Sequence, residues 1–374
     1  MNGFDVNTPA YVVDEAALTH NLEILEGVRE AADCKILLAQ KAFSMFSVYT
    51  MIGWYLDGTT ASGIYEARLG HEEMGKETHV FSPAYTDADF EKLAQMCDHI
   101  TFNSFAQWEA FRERAAKTGK SFGMRVNPEC STQEHGIYDP CAPFSRLGVT
   151  RKHFRPDLLD GIEGLHFHTL CEQNADALVE TLAAFEEKFG EFLPRMKWVN
   201  FGGGHHITRP DYDLSALVNA IRHFKRKHGV EVYLEPGEAV ALNAGFFVAT
   251  VIDIVENGMD IAILDASAAC HMPDVIEMPY RPPIQNAAKP GEKAHTCRLA
   301  GPTCLAGDVI GDYSFDVPLK IGDKVIFEDM AIYTMVKNNT FNGMPLPSIY
   351  LRGKDGAIRL VKQFGYEDFK GRLS

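Results

Sequence analysis

The sequence lacks the segments that would direct a chain into or across a membrane. Its first eleven residues contain neither the basic stretch nor the apolar stretch of a secretory signal. The most apolar stretch, residues 244–255, is interrupted by Asp253 and is too short to span a bilayer. We therefore expect a cytoplasmic protein that has no membrane partner.

Cationic side chains are scarce relative to anionic ones. The 374 residues include 36 Lys and Arg against 51 Asp and Glu, which gives a formal net charge of −15. A chain of this charge repels phosphate groups, so nucleic acid is not an expected partner. The same charge is compatible with a cationic small-molecule substrate.

Cysteine and histidine are present, but without the spacings that are typical of metal or redox sites. The eight cysteines are spread out with no C-x-x-C pair, and we expect them to be reduced thiols. The pairs His166-x-His168 and His205-His206 are accompanied by neither an H-E-x-x-H helix nor a cysteine pair. We therefore expect no metal site.

Strand-like and helix-like segments alternate from residue 14 to about residue 241. Asp14 is a suitable N-cap for a helix in which Leu18, Leu22 and Leu25 recur at helical spacing. Eight short apolar runs are typical of buried strands, and amphipathic helices lie between most of them. The alternation predicts parallel strands with crossover helices, and eight units predict a (β/α)8 barrel over residues 14–242. The predicted strands are 35–40, 58–62, 78–81, 99–103, 121–127, 164–168, 197–201 and 231–234, and the clearest helices are 87–96, 105–117, 175–189 and 215–228.

After about residue 243 the pattern changes to strands without intervening helices. Five segments are strand-like, and glycines and prolines separate them; they are 246–255, 259–265, 295–300, 324–327 and 347–351. This pattern predicts an antiparallel β domain formed by residues 243–374. Residues 9–13 are also strand-like, so we expect residues 1–13 to join this domain. A single mixed α/β domain is the alternative.

Polar residues follow four of the predicted barrel strands, at the ends where barrel enzymes carry their chemistry. Lys41 follows the first strand, His168 ends the sixth, three glycines follow the seventh and Glu235 follows the eighth. Each also has an ordinary structural interpretation. The lysine could reach solvent, the histidine could be a core residue, the glycines could form a mobile turn, and the glutamate could be a capping or salt-bridged acid. Together they supply an amine made nucleophilic by desolvation, a ring for stacking, a backbone nest for an anion and an acid for a pyridine nitrogen. Pyridoxal phosphate requires this combination.

An ordered set of motifs over nearly the whole chain resembles the fold type III, alanine racemase-like decarboxylases that depend on pyridoxal phosphate. That family includes ornithine, arginine and diaminopimelate decarboxylases. The matching motifs are Ala39-Gln40-Lys41-Ala42, Ser145-Arg146-Leu147-Gly148, Leu165-His166-Phe167-His168, Asn200-Phe201-Gly202-Gly203-Gly204, Glu235-Pro236-Gly237, Gly301-Pro302-Thr303-Cys304 with Asp308, Ala331-Ile332-Tyr333-Thr334 and Thr340-Phe341-Asn342-Gly343.

The resemblance implies a role for each matched site residue. Lys41 would carry the cofactor, and Glu235 would keep its pyridine nitrogen protonated. His168 would stack on the ring, while Tyr333 and the three glycines Gly202, Gly203 and Gly204 would hold the phosphate. Cys304, from the partner subunit of a homodimer, would return a proton to the substrate α-carbon, and Asp308 would contact the substrate. A buried structural thiol is the alternative for Cys304.

Departures from the family pattern narrow the expected substrate. Glu238 stands where many relatives carry an arginine, Leu305 follows Cys304 where they carry an acid, and Cys171 lies in the segment where they have a phosphate-binding serine. Together with the segment 271–274, these features resemble most the members that act on carboxynorspermidine or carboxyspermidine in polyamine biosynthesis. The resemblance implies a carboxylated triamine as substrate, whose amines Glu238 and Asp274 would bind by charge-assisted hydrogen bonds. A surface acid and a loop cap are their alternatives.

Three other functions remain open at the level of the sequence. Diaminopimelate or ornithine/arginine decarboxylases share the motifs, although Glu238 and Leu305 argue against them. An amino-acid racemase would need a second base on the opposite face of the cofactor ring. A non-catalytic protein that only binds pyridoxal phosphate would not require the large region after residue 243.

Overall fold

The computed structural model describes residues 4–133 and 136–374, which form two compact units. The barrel unit is Asn21–Val240, and the sheet unit combines the described residues up to His20 with Ala241–Ser374. The domain boundaries expected from the sequence, after residues 13 and 242, stay a prediction. Within the described ranges, no helix combines the length and the apolar character needed to cross a membrane.

The chain opens with strand β1 (Ala10–Asp14) and helix α1 (Glu15–Ala32), and the elements of the barrel unit then follow. Its strands are β2 (Lys35–Ala39), β3 (Gly58–Ala61), β4 (Glu77–Phe81), β5 (His99–Phe102), β6 (Ser121–Asn127), β7 (Val149–Thr150), β8 (Gly164–His166), β9 (Trp198–Asn200) and β10 (Glu231–Leu234). Its helices are α2 (Tyr49–Tyr55), α3 (Ile64–Glu73), α4 (Asp87–Met96), α5 (Phe105–Ala115), α6 (Ala175–Phe189) and α7 (Leu214–His228), and α8 (Glu238–Ala241) follows them.

Eight parallel strands close the barrel. Their order is β5-β4-β3-β2-β10-β9-β8-β6, and a β5–β6 pairing joins the two ends. The short strand β7 only adds a two-residue pairing to β6. Each of the eight predicted strands lies on one of these barrel strands, so the predicted (β/α)8 barrel is confirmed. Closure brings the carboxyl ends of all eight strands to one rim, where Lys41, His168, the glycine loop and Glu235 lie.

Short polar residues fix where the barrel helices begin. Thr86 accepts a hydrogen bond from the backbone N–H of Asp89 at 3.1 Å at the start of α4. Asp213 caps α7 in the same way, through the N–H of Ala216 at 2.9 Å, and the helix ends at Gly229 in the left-handed conformation (φ 68°). These caps satisfy backbone groups that the helix itself leaves unpaired. They explain why the helix boundaries could be predicted from the sequence.

The sheet unit contains the remaining strands. They are β11 (Gly245–Glu256), β12 (Asp260–Leu264), β13 (His295–Ala300), β14 (Val309–Phe315), β15 (Lys324–Glu328), β16 (Ser348–Arg352) and β17 (Ile358–Lys362), with the short helices α9 (Ala268–His271), α10 (Asp274–Glu277) and α11 (Tyr366–Lys370). The strand order is β14-β13-β12-β11-β1-β16-β17, and β15 also pairs with β11. The N-terminal strand therefore joins the C-terminal sheet, as predicted.

The sheet is mixed, which corrects the expectation of wholly antiparallel pairing. Strand β12 pairs parallel with β13, and β1 pairs parallel with β16. The connection from β12 to β13 is long and contains α9 and α10, so it can cross over where a tight hairpin could not. Strands β1 and β16 come from opposite ends of the chain, and no hairpin fixes their relative direction.

Strand β1 is buried on both of its faces. Ala10 and Val12 pack into one apolar cluster with Val248, while Tyr11 packs into a second cluster with Phe247. The Tyr11 hydroxyl donates a hydrogen bond to the backbone oxygen of His271 at 2.6 Å within the same unit. An interior position explains why this segment has a continuous apolar run and no alternation of polar residues.

Asp14, at the end of β1, joins the sheet to helix α1, and its replacement tests this part of the fold. Its Oδ1 caps the helix through the N–H of Ala17 at 2.9 Å, and its Oδ2 accepts from Arg352 Nε at 2.6 Å. Because Asp14→Ala removes both interactions, we expect it to lower the free energy of unfolding by about 2–3 kcal/mol. Asp14→Asn, which keeps the capping oxygen, should lose about half as much in urea-induced unfolding.

An exposed ion pair provides the control for this comparison. Arg68 and Glu72 pair at 2.7 Å on the surface of α3, so Glu72→Ala should change stability by no more than about 0.5 kcal/mol. Equal losses for Asp14→Ala and Asp14→Asn would contradict a capping role for Asp14.

Candidate active site

Lys41 is placed by a rigid turn that follows strand β2. The N–H of Ala39 donates to Pro236 O at 3.0 Å, and the N–H of Gln40 donates to Thr60 O at 3.1 Å. The buried Gln40 side chain donates to Glu66 O at 2.8 Å and accepts from a tyrosine hydroxyl at 3.1 Å. These bonds fix the backbone that leads into the lysine. The cavity at the barrel mouth is lined by Ala39, Lys41, Thr60, Ala61, Ser62, Phe81, Arg125, His166, His168 and Glu235.

The environment of Lys41 favours its neutral, nucleophilic form. Burial lowers the pKa of the amine from its ordinary value, and the guanidinium of Arg125 lowers it further. Glu235 and Glu66 oppose this shift without reversing it. A neutral amine can attack an aldehyde, which a protonated lysine cannot do. The structure thus places Lys41 in the cavity rather than leaving it as a lysine that only reaches solvent.

Glu235 is a buried carboxylate at the same mouth. Its Oε1 accepts a hydrogen bond from Asn200 Nδ2 at 2.7 Å, and its Oε2 lies 3.6 Å from Nε2 of His166. Burial raises the pKa of Glu235, but the nearby His166 and the Asn200 hydrogen bond outweigh it and bring the pKa below the ordinary value. The carboxylate therefore stays ionised at neutral pH and can hold a protonated ring nitrogen.

His168 presents a neutral ring to the cavity. Burial lowers its pKa well below the usual range, and the nearby Lys41 and Arg125 lower it further. Its Nδ1 accepts a hydrogen bond from the N–H of Gly203 at 2.9 Å, so the neutral ring carries its hydrogen on Nε2. The backbone oxygen of His168 accepts from Arg125 Nη2 at 3.1 Å. The Gly203 bond thus fixes the ring, and the Arg125 bond fixes the backbone that carries it.

The three glycines after β9 are required by close backbone packing. Gly202 and Gly204 have φ values of 70° and 81°, and a Cβ on Gly204 would lie 2.0 Å from Leu170 O. A Cβ on Gly203 would lie 2.3 Å from the backbone oxygen of Glu235. These approaches argue against a loose, mobile turn.

The glycine loop does not offer three unused backbone donors, which corrects one expectation from the sequence. The N–H of Gly202 donates to Asn200 Oδ1 at 2.8 Å, and that of Gly203 donates to His168 Nδ1. The positive φ angles that form the turn also direct these two donors back into the protein. Phosphate binding by the loop stays a prediction.

Glu238, the predicted substrate-binding acid of the barrel unit, begins helix α8, directly after Glu235-Pro236-Gly237. Its Oε2 lies 3.3 Å from Nε2 of His206, and both side chains are largely buried. The acid is therefore not a freely exposed surface residue. Its predicted contact with a substrate amine stays a prediction.

Two predicted residues of the sheet unit lie on one loop. Cys304 is exposed, which contradicts the alternative of a buried structural thiol, and its N–H donates to Asn342 Oδ1 at 2.8 Å. Asp308 is buried and accepts hydrogen bonds from Thr303 Oγ1 at 2.6 Å and Ser267 Oγ at 3.0 Å. Asp308 thus holds the loop that carries Cys304, and its predicted contact with substrate stays a prediction.

The other two predicted residues of this unit are Asp274 and Tyr333. The Asp274 carboxylate forms an ion pair with Lys337, which also contacts Glu277 at 2.5 Å. The ammonium group of Lys337 is therefore already bound to Asp274, and a substrate amine would have to share the carboxylate with it. Tyr333 is half-buried and has a positive φ of 50°. Its predicted phosphate contact stays a prediction.

Sequence reasoning did not single out Arg125, Asn200 or His166. Arg125 is buried in the middle of β6, with its guanidinium 4.4 Å from the ring centroid of Phe81. An arginine inside an otherwise apolar strand is a usable signal, because a buried charge needs a partner or a function. Asn200 and His166 lie within recognised motifs, and their roles depend on contacts with Glu235 that the sequence does not show.

The side chains of His166, His168 and Glu235 could form a metal-binding group, since their ligand atoms lie within 4.8 Å of one another. Two observations argue against a metal. His168 uses the lone pair of Nδ1 for the Gly203 hydrogen bond, so its Nε2 bears a hydrogen and cannot act as a ligand. The cationic Arg125 also lines the same cavity and would repel a metal ion. A nucleophilic amine, an ionised acid and a neutral ring instead fit pyridoxal phosphate.

Comparison with known proteins gives a consistent result. The family described as "Pyridoxal-dependent decarboxylase, C-terminal sheet domain" matches residues 10–331. The chain is similar to carboxynorspermidine/carboxyspermidine decarboxylase of Campylobacter jejuni, with 46% identity over 98% of both chains. It is also similar to carboxyaminopropylagmatine decarboxylase of Synechocystis, with 42% identity over 98% of this chain and 95% of the relative.

A solved structure supports the same relationship. The crystal structure of carboxynorspermidine decarboxylase from Campylobacter jejuni, complexed with norspermidine, is 44% identical in sequence and has a TM-score of 0.92. The similarity covers 98% of this chain and 100% of that chain. It therefore extends through both the barrel unit and the sheet unit.

Gly204 offers a direct test of the glycine loop. We expect Gly204→Ala to lower the free energy of unfolding by about 3 kcal/mol, because the new methyl group adds a backbone clash to an unfavourable φ. Gly119 is a matched control in the same unit, with a φ of 68° and no atom within 4 Å of the added Cβ. Gly119→Ala should lose about 1 kcal/mol in the same urea titration. Similar losses in the two variants would show that packing at Gly204 is not critical.

Proposed function

The chain belongs to the pyridoxal-dependent decarboxylases, and we propose that it removes CO₂ from carboxynorspermidine, carboxyspermidine or both, as a step of polyamine biosynthesis. The observation that carries this proposal is the position of Glu238. Glu238 is a second, largely buried acid, three residues after the proposed cofactor-binding Glu235 in the chain. A substrate with amines beyond its α-amino group suits an acid at this position, whereas an arginine here would repel those amines.

The proposed cofactor is pyridoxal 5′-phosphate. When bound, it supplies a ring that accepts the electron pair left behind as the substrate carboxylate departs. Lys41 would hold the cofactor through its amine. Glu235 would keep the pyridine nitrogen protonated, and His168 would pack against the ring. The proposed phosphate contacts are Tyr333 and the loop Gly202–Gly203–Gly204.

The substrate is oriented by acids at its far end. Glu238 would bind one of the additional amines, and a second amine would share the carboxylate of Asp274 with the ammonium group of Lys337. Asp308 contributes by holding the loop that contains Cys304, where it accepts two side-chain hydrogen bonds. Orientation at the far end fixes which bond at the α-carbon lies perpendicular to the cofactor ring. The departing carboxylate must occupy that position.

Departure of CO₂ leaves the α-carbon one proton short, and we assign delivery of that proton to Cys304 of the partner subunit in a homodimer. The side chain is exposed on its loop, which suits a group that acts outside its own subunit. The balanced reaction consumes one proton and one carboxylate and yields CO₂ and the triamine.

A second candidate substrate is carboxyaminopropylagmatine, because the Synechocystis relative that acts on it is 42% identical over 98% of this chain. An agmatine derivative ends in a guanidinium, which binds a carboxylate through two parallel hydrogen bonds. Glu238 shares one oxygen with His206, so the structure favours a single-point amine contact over a two-point guanidinium contact.

Release of CO₂ from a panel of substrates tests the proposed function. We expect purified protein supplied with pyridoxal phosphate to decarboxylate carboxynorspermidine or carboxyspermidine with a kcat/KM at least about 100-fold above that for carboxyaminopropylagmatine, meso-diaminopimelate or L-ornithine. Lys41→Ala should abolish turnover and the visible absorbance of lysine-bound cofactor. Glu238→Gln should raise KM for the triamines roughly 10-fold or more, because it removes a charged contact.

The same panel separates the alternatives. A higher kcat/KM for diaminopimelate or ornithine would keep the cofactor site but remove the proposed role of Glu238. Bound cofactor with no CO₂ release from any of the substrates would favour a racemase or a non-catalytic binding protein. Preference for carboxyaminopropylagmatine would establish the second candidate.

Subunit mixing tests the assignment of Cys304 to the partner. Lys41→Ala and Cys304→Ala homodimers should each have little activity. When equal amounts are mixed under subunit exchange, half of the dimers carry both variants, and one of their two sites combines an intact Lys41 with an intact Cys304. Activity should therefore return to about a quarter of the wild-type value. No recovery, with mixed dimers confirmed by native mass spectrometry, would show that Cys304 acts within its own subunit or not at all.

A further inference from the structure

His166 is a buried polar residue of the cavity that the proposed mechanism does not use. It ends strand β8, is 2% exposed and lines the cavity together with Lys41 and Glu235. Among the described residues, neither of its ring nitrogens has a hydrogen-bond partner. Its only ring contact of note is edge-on to Phe81, with centroids 5.4 Å apart. A buried imidazole with two unpaired nitrogens is costly to the fold unless it serves the site.

One polar group close to this ring is the oxygen of Glu235 that Asn200 does not contact. Asn200 donates to Oε1 at 2.7 Å, whereas Oε2 lies 3.6 Å from Nε2 of His166. Hydrogen bonds of this kind are about 3.0 Å long, so a relative movement of roughly 0.6 Å would form one. A side-chain hydrogen bond from Thr60, on β3, also lowers the pKa of this carboxylate. His166 is thus in position to complete the set of donors around Glu235.

We infer that His166 is a positioning residue that holds Oε2 of Glu235 through its Nε2–H, and thereby fixes the carboxylate in the orientation that meets the cofactor's ring nitrogen. The inference rests on the proposed pyridoxal phosphate cofactor and is independent of the triamine preference. It assigns the neutral tautomer that bears hydrogen on Nε2. It also explains why the ring sits unpaired beside an acid that already has one strong hydrogen bond.

The neutrality of His166 matters for the chemistry of the acid. Burial lowers the pKa of His166 to about 3, so the ring is uncharged wherever the enzyme works near neutral pH. A neutral donor orients Glu235 and leaves its negative charge available to the pyridinium proton. A cationic partner would compete for that charge and favour loss of the proton from the ring nitrogen.

Two variants separate the donor from the shape of the ring. His166→Phe keeps a ring against Phe81 but has no donor, and His166→Gln keeps an N–H close to the position of Nε2. We expect His166→Phe to lower kcat roughly 10- to 100-fold with KM changed by less than about threefold, because a hydrogen bond to a charged group is lost. His166→Gln should recover most of that loss.

The decisive readout does not depend on turnover. The enzyme is reconstituted with pyridoxal phosphate labelled with ¹⁵N in its ring, and the nitrogen shift is measured. His166→Phe should move the signal toward the unprotonated pyridine value, and His166→Gln should restore the wild-type shift. His99, a barrel histidine stacked between His79 and Trp198 and absent from the cavity lining, is the control. His99→Phe should leave the nitrogen shift unchanged.

Several outcomes would overturn the inference. An unchanged nitrogen shift and kcat in His166→Phe, with only a lower melting temperature, would make His166 an ordinary core residue. Equal loss in the Phe and Gln variants would show that the ring, and not its donor, is needed. If His166→Phe does not fold, ¹⁵N-histidine spectra of the wild-type holoenzyme decide, since hydrogen on Nδ1 instead of Nε2 contradicts the assignment. Wild-type CO₂ release tests the proposed function separately.

Discussion

The ionised carboxylate of Glu235 organises the mouth of the barrel. Removing such a charge from water costs several kcal/mol, and the surrounding groups are arranged to recover that cost. Asn200 donates to it, and the N–H of Glu235 itself donates to Gly202 O at 2.8 Å. The backbone of Gly203 approaches so closely that a methyl group would meet the oxygen of Glu235. The acid and the glycine loop are therefore a single structural unit, and changes in either will affect the other.

The charge of Glu235 also acts on the two basic side chains of the cavity, Lys41 and Arg125. Burial lowers the pKa of the Lys41 amine, and the buried Arg125 lowers it further. Glu235 acts in the opposite direction and raises the pKa of both Lys41 and Arg125. Burial nevertheless lowers the pKa of Arg125 to about 10. Lys41, Arg125 and Glu235 thus line one cavity. This arrangement combines a reactive amine with an ionised acid, as a site for an anionic aldehyde cofactor requires.

The barrel and the strand-end residues could be predicted because both leave local signals. Eight short apolar runs and capped helices define the barrel, and Lys41 and Glu235 follow directly from the positions at which strands end. Strand β17 left no such signal, since most of its side chains are exposed, and the parallel β12–β13 pairing depends on how a long connection folds. Asp308 illustrates the other limit. Its sequence position resembles a substrate contact, but only the structure shows two hydroxyl groups already bonded to its carboxylate.

The position of strand β1 has a consequence for synthesis on the ribosome. This strand lies between β11 and β16, and Ala10 pairs with both Val248 and Ser348. Translation at about 5–20 residues per second separates the emergence of Ala10 from that of Ser348 by tens of seconds. The barrel unit, Asn21–Val240, emerges completely during that interval, while the apolar first strand still lacks both neighbours. Strand β11 becomes available next, but the edge of β1 that pairs with β16 stays open until Ser348 has been made. Nascent chains of this protein therefore carry an apolar strand with an open, aggregation-prone edge through most of their synthesis.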